Sequence, residues 1–134
     1  MDAQTIQEML KRSPFIEFLK LEVLAVDVDR QEIRMRMPMR PELERGHASN
    51  MFHGGPIASF IDTVGDYAVV LATDKPVPTI NLRVDYVRPC IGDYIDAVAI
   101  TRRVGRTIAV VDVDVIDANG KLCAVGRGSY GVPQ

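Results

Sequence analysis

At 134 residues, with 47% hydrophobic and 25% charged side chains, the chain has the size and make-up of one compact domain, with material for one core and not two. Sixteen Lys and Arg against eighteen Asp and Glu leave a net charge of -2, which excludes a global positive field for nucleic acid or an anionic membrane, so any phosphate must be met by local basic clusters. No apolar stretch is long enough to span a bilayer, and Met1-Asp2-Ala3-Gln4 lacks the basic flank and apolar run of a signal peptide, so a cytoplasmic protein is expected.

Ile6, Met9 and Leu10 fall at helical spacing between Ala3 and Arg12, and Ser13-Pro14 interrupts the pattern, so residues 1–18 read as an N-terminal helical segment of a single domain spanning 1–134. Leu19 to Asp29 reads as a strand and Asp29-Arg30 as a turn. Glu32 to Met37 alternates polar with apolar residues, which completes a hairpin. Pro38 and Pro41 end it, and the stretch to Phe52, with Gly46, His47, Ser49 and Asn50, has no sustained period and reads as a loop. From about Gly54 to Thr73 apolar residues surround most of a helical circumference, which predicts a helix buried on more than one side.

Four strands follow Lys75-Pro76, over about Pro78–Tyr86, Asp93–Arg103, Arg106–Asp117 and Lys121–Tyr130. Val104-Gly105 and Ala118-Asn119-Gly120 mark turns between them. Val111, Val113 and Val115 share one strand face while Asp112 and Asp114 share the other, which reads as a solvated face. Two strands, one apolar helix and four more strands make an α+β pattern in which an antiparallel sheet wraps the helix, and exposed sheet edges of this kind lead to an expected homodimer at least. Cys90 and Cys123 have no cysteine or histidine at metal-ligand spacing, so buried, reduced thiols and no metal are expected. Met35, Met37, Met39 and Met51 read as core filler before they read as a flexible tunnel.

The segment His53-Gly54-Gly55-Pro56 suits a helix start, because proline tolerates the first turn and glycines let a ligand approach the unpaired amides there. Such amides and the positive end of the helix dipole can stabilise the oxyanion of a thioester carbonyl under attack, although a plain helix start fits the same residues. Asp62 lies two turns on, inside Phe60-Ile61-Asp62-Thr63-Val64, where an unpaired charge is costly. It reads either as a functional carboxylate or as a solvent-facing residue, as Asp66 one turn later does. His47 and His53, the only histidines, read as packing or capping residues until their shared loop before Asp62 is weighed.

His53-Gly54-Gly55 followed by Asp62 resembles the signature of hotdog-fold acyl-CoA thioesterases of the phenylacetate (PaaI-like) type. The likeness extends over nearly the whole chain, through Met37 to Leu43, Asp85-Tyr86-Val87-Arg88-Pro89, Gly105-Arg106-Thr107 and Ala124 to Gly128. The resemblance implies a hotdog fold and hydrolysis of acyl-CoA or aryl-CoA thioesters without a cofactor. It gives Asp62 as general base or nucleophile, the Gly54 N–H as oxyanion hole, with Gly55 beside it, and His53 as a residue steadying the thioester. Thr79 falls where relatives hold the attacking water, and its other reading is an ordinary strand-start threonine. Relatives carry Asn or Gln six residues before the His-Gly-Gly histidine, where this chain has His47, and Asn50 is a candidate for the missing amide.

The resemblance further implies a site between two subunits of a dimer or dimer of dimers, with Arg88, Pro89, Arg103, Gly105 and Arg106 on segments that meet the CoA phosphates; exposed strand-end arginines are the other reading. His47 keeps two alternatives open. One is a hydratase or dehydratase acting on enoyl or 3-hydroxyacyl thioesters, and the other a binding module that keeps the pocket without turnover.

Overall fold

The apolar run after Gly54 folds into helix α3, Gly54–Thr73, the longest helix of the computed structural model, which describes residues 1–134. Asp74 ends it in the left-handed conformation, φ 56°, donating its N–H to the Val70 carbonyl at 2.8 Å. Strands β1 (Glu22–Asp27), β2 (Glu32–Pro38), β3 (Thr79–Tyr86), β4 (Tyr94–Val104), β5 (Ile108–Asp117) and β6 (Leu122–Gly131) form one sheet in the order β1-β2-β4-β5-β6-β3, every pair antiparallel. The wrapped-helix architecture expected above is the one found.

Alternation explains which sheet face meets the helix. Ile33, Met35 and Met37 on β2, Ile95, Ala97 and Ala99 on β4, and Ala109, Val111, Val113 and Val115 on β5 are all buried against α3 residues such as Phe60, Val64 and Ala68. Burying each large side chain of this set contributes on the order of 1.5–3 kcal/mol. Met35 and Met37 are fully buried core residues, Met39 packs on the core, and Met51 lines a surface cleft. Cys90 and Cys123 are buried and free.

Two local expectations are corrected. Ser13-Pro14 interrupts the first helix, α1 (Ala3–Met9, continued by a 3-10 turn at Leu10–Arg12), but also starts another: Ser13 accepts the Ile16 N–H at 3.4 Å and Pro14 is the first residue of α2, Pro14–Leu19. The strand expected from Leu19 therefore begins only at Glu22, after Lys20 turns the chain in the left-handed region at φ 56°. Asp112 does not lie on a merely solvated face. It accepts from Arg102 Nε at 2.7 Å and Arg127 Nε at 2.6 Å, whereas Asp114 is exposed as expected. A similar knot on β4, unanticipated, holds the buried Asp96 between Arg36 (2.8 Å) and Arg34 (3.0 Å).

The two sheet edges differ. At β1, Gln7 of α1 donates to the Leu21 carbonyl (2.9 Å) and accepts the Val23 N–H (2.7 Å), so a helix side chain occupies the edge. β3 pairs only with β6, and its exposed residues include Ile80 and Tyr86, with Val87 just beyond. That edge has no cover within the chain.

Close packing of α3 on β6 depends on missing side chains. A Cβ at Gly65 would collide with the Tyr130 hydroxyl and lie 3.2 Å from Tyr130 Cζ, and one at Gly126 would lie 2.5 Å from Ile61 Cγ2. Gly65→Ala is expected to lower unfolding free energy by about 1–3 kcal/mol in urea titrations. Because the clash is with the hydroxyl, Tyr130→Phe in the Gly65→Ala background should recover part of that loss.

The Asp112 cluster predicts an acid limb of stability. Hydrogen bonding from Arg127, then Arg102, outweighs the opposing effect of burial and holds the Asp112 carboxyl down at about 2. A carboxylate depressed on folding contributes stability that is present above its ordinary value near 3.8 and is lost as pH falls toward 2. Asp112→Asn should flatten the wild-type loss of stability between pH 4 and 2, measured by urea unfolding across that range.

Candidate active site

The loop before α3 is held by main-chain bonds. The Phe52 N–H donates to Cys90 O and the His53 N–H to Leu43 O, each at 2.8 Å, which delivers His53 as the N-cap. His53 Nδ1 accepts the Gly55 N–H at 3.0 Å, so in the neutral ring the proton lies on Nε2, free to donate outward. The first turn of α3 can then be fully accounted for. Gly55 donates to His53, Pro56 has no N–H, Ile57 donates to the His53 carbonyl at 3.4 Å, and the Gly54 N–H has no partner. One unpaired donor remains, at the positive end of a 20-residue helix.

That donor borders a cleft of about 430 Å³ shared with His53, Tyr86, Arg45, Arg88 and Pro89. Tyr86, at the end of β3, donates its hydroxyl to the Gly54 carbonyl at 2.7 Å, and a Cβ on Gly54 would lie 3.4 Å from its ring. Glycine at 54 thus leaves room for both the tyrosine and a ligand approaching the amide.

Asp62 sits at the opposite end of β3. Thr79 Oγ1 donates to Asp62 Oδ1 at 2.8 Å, and the Tyr130 hydroxyl lies 3.1 Å from the Asp62 carbonyl oxygen and 3.4 Å from Oδ1. Burial, then the charges of Asp62 and Asp66, push the Tyr130 phenol up, so it stays a donor. Both protein donors address Oδ1, and Oδ2 has none. Asp62 opens into a second cleft, about 400 Å³, between α2 and α3, where Phe15, Asp66 and Pro76 also lie. Asp66, expected to face solvent, instead lines this cleft, where burial and then the neighbouring Asp62 push its carboxyl up to about 7.

Eight residues along a helix separate Gly54 from Asp62 by about 12 Å, and the two border different clefts of one chain. The remaining sequence candidates are dispersed. His47 is exposed in the loop. Asn50 is left-handed at φ 54°, donates its N–H to Glu44 Oε2 at 2.7 Å, and lines a separate shallow pocket with Asp93. Arg88 and Pro89 border the Gly54 cleft. Arg103 lies near the end of β4, paired with Val110, and Gly105 and Arg106 lie in the turn that follows, at the Thr79 end of the sheet, because Ile108 pairs with Gly131 and Thr79 with Tyr130. No group of three or more His, Cys, Asp or Glu is arranged to hold a metal ion, and no helix is long and apolar enough to cross a membrane.

Sequence reasoning missed four groups: Tyr86, Tyr130, Asp66 and Arg45. Tyr130 carried a signal in Gly126-Arg127-Gly128-Ser129-Tyr130, where glycines at alternate positions leave one strand face open for a large neighbour.

Known proteins share this family and this fold. The family model for the thioesterase superfamily matches residues 49–124, which run from the loop before α3 into β6. A Halobacterium salinarum protein carrying the name of an esterase is 37% identical over 97% of this chain and 91% of its own length. Human acyl-coenzyme A thioesterase 13 is 32% identical over 66% of each chain. A solved structure from the thioesterase superfamily is 33% identical with a TM-score of 0.90 over 98% of both chains. The Escherichia coli PaaI structure shares the fold at TM-score 0.84 and 22% identity, covering 98% of this chain and 92% of its own. The chain therefore belongs to the thioesterase superfamily, and is a thioester hydrolase of the hotdog fold.

Proposed function

We propose that this enzyme hydrolyses acyl-CoA thioesters as at least a homodimer, with the Gly54 N–H of one protomer and the Asp62 carboxylate of its partner acting on the same carbonyl. The observation that carries this reading is the pair of bonds tying α3 to β3, Tyr86 to Gly54 at one end of the strand and Thr79 to Asp62 at the other. Antiparallel pairing of two open β3 edges about a two-fold axis lays the Tyr86 end of one strand beside the Thr79 end of the next. Each Gly54 then meets a partner's Asp62, which removes the separation of about 12 Å within one chain. The open edge, its exposed apolar residues and the covered opposite edge support this assembly.

In the proposed reaction, Asp62 Oδ2 takes a proton from water while Thr79 holds Oδ1. The water oxygen bonds to the thioester carbon, and charge on the carbonyl oxygen is met by the Gly54 N–H. Collapse breaks the C–S bond, and the CoA thiolate leaves and takes a proton. Direct attack by Asp62, giving an anhydride that water opens, uses the same groups. His53 Nε2–H steadies the thioester, with Gly55 keeping its ring in place. Arg88, beside Pro89 and Arg45, serves the CoA phosphates on the Gly54 side. Arg103 and Arg106, flanking Gly105, reach toward the same nucleotide from the partner's turn. His47 and Asn50 belong to the entry loop, where an amide-like contact from either orients the carbonyl. The CoA thioester class draws support from the likeness to human acyl-coenzyme A thioesterase 13. The reading is completed by one domain over 1–134 acting in the cytoplasm.

Thiol release from a panel of acyl-CoAs is the direct assay, since hydration of an enoyl thioester liberates no thiol. Asp62→Asn should lower kcat about a hundred- to ten-thousand-fold with unchanged circular dichroism, and a variant with full turnover would refute the assignment. Gly54→Pro removes the N–H at a helix position that tolerates proline, and His53 at φ -64° and ψ 150° already has the backbone that a following proline requires. It should lower kcat by about a hundred- to a thousand-fold with the fold intact.

A further inference from the structure

The cleft between α2 and α3 contains polar groups that are almost all occupied. Ser13 caps α2 by accepting the Ile16 N–H, Ser59 Oγ donates to the Gly55 carbonyl at 3.0 Å, Thr63 Oγ1 donates to the Ser59 carbonyl at 2.8 Å, and the Tyr67 hydroxyl donates to the Met9 carbonyl at 3.4 Å. Asp62 is held by Thr79 and Tyr130. The exception is Asp66, whose carboxyl makes no hydrogen bond in the chain although it lies half-buried beside Phe15, Pro76 and Val77. A polar group drawn partly out of water and left without a partner is a cost to the free protein that a ligand can relieve.

We propose that the acyl portion of the thioester lies in this cleft and that Asp66 is its specificity-determining residue, selecting acyl groups with a hydroxyl near their far end over unsubstituted ones. The inference rests on the role assigned to Asp62. A carbonyl within reach of that carboxylate carries the acyl chain on one side and the CoA sulfur on the other, so one of the two starts in the cleft that Asp62 borders, and charge decides which. Asp66 follows one turn later on the same helix face, about 6 Å along the axis, which is the reach of an acyl chain of five or six carbons.

Electrostatics separate the two ends of the substrate. The Gly54 cleft presents Arg45 and Arg88, which suit the CoA phosphates, whereas the α2–α3 cleft presents Asp62 and Asp66, which repel them. The titratable groups around Asp66 are Asp62 on its own helix, Tyr67 beside it, Tyr130 from β6, and Arg12, which acts on Tyr67 from before α2. With its carboxyl pushed up to about 7, Asp66 near neutrality can both donate to and accept from a neutral hydroxyl. A carboxylate at the same place on the acyl chain meets two acids.

The test compares kcat/KM for 6-hydroxyhexanoyl-CoA and heptanoyl-CoA, which differ by OH against CH3, with 6-aminohexanoyl-CoA as a third probe. The wild-type enzyme should favour the hydroxyl substrate over heptanoyl by about tenfold or more. Asp66→Asn, which keeps a donor and an acceptor, should retain that preference. Asp66→Leu should reverse it, with heptanoyl-CoA the better substrate of the two. Equal wild-type rates on the two substrates, a preference that survives Asp66→Leu, or the amine as the best substrate would each overturn the proposal, and the first and last need no variant to fold. The Asp62 reading fails separately, if Asp62→Asn hydrolyses all three thioesters at the wild-type rate.

Discussion

The site depends on how α3 is fastened to β3. A buried helix could slide or rotate within a cupped sheet if only apolar contacts held it, because burial is not directional. Here two side-chain bonds fix both ends: the Tyr86 hydroxyl on the Gly54 carbonyl at 2.7 Å and the Thr79 hydroxyl on Asp62 at 2.8 Å. The small residues beneath the helix, Gly126 and Gly128 on β6 and Ala97 and Ala99 on β4, bring it close enough for those bonds to form. The register of one edge strand therefore sets the position of the unpaired amide and of the carboxylate.

The same fastening makes β3 more than a structural edge. It carries an attachment point for each half of the proposed chemistry, and it is the edge that the chain leaves open while Gln7 occupies the other. Charge is sorted along the same line, with Arg45 and Arg88 near Gly54 and Asp62 and Asp66 in the other cleft. The CoA thioester proposed as substrate has one strongly anionic end and one acyl end, so a bipolar surface would orient it before any specific contact forms. The Arg–Asp clusters on the outer sheet face lie away from this division and bear on stability.

Much of this fold was readable because it rests on period. The alternation in β2 and β5, the glycine-marked turns and the all-round apolar helix define strands and helix with no knowledge of partners. The N-terminal segment was harder to divide, because Ser13-Pro14 signals both an end and a start, and α2 hides the six residues before its left-handed exit at Lys20. Asp62 and Gly54 were legible through their setting, a carboxylate in an apolar block and glycines at a helix start. Tyr86, Tyr130 and Asp66 were not, because their roles come from contacts 32, 68 and 4 residues away in sequence, made by strand register and by burial against α2. The Asp112 and Asp96 ion pairs were hidden for the same reason. Strand polarity is local, but the arginines that neutralise these acids come from neighbouring strands.

Subunit complementation tests the central claim most directly. Asp62→Asn and Gly54→Pro chains, each nearly inactive alone, are mixed in equal amounts from urea and refolded, and thiol release is compared with wild type treated identically. If each site joins Gly54 of one protomer to Asp62 of the other, half of the dimers are mixed and each holds one intact site, so activity should return to about a quarter of wild type. Activity that stays at the level of the separate variants, despite mixed dimers demonstrated by differential tagging, would contradict the account.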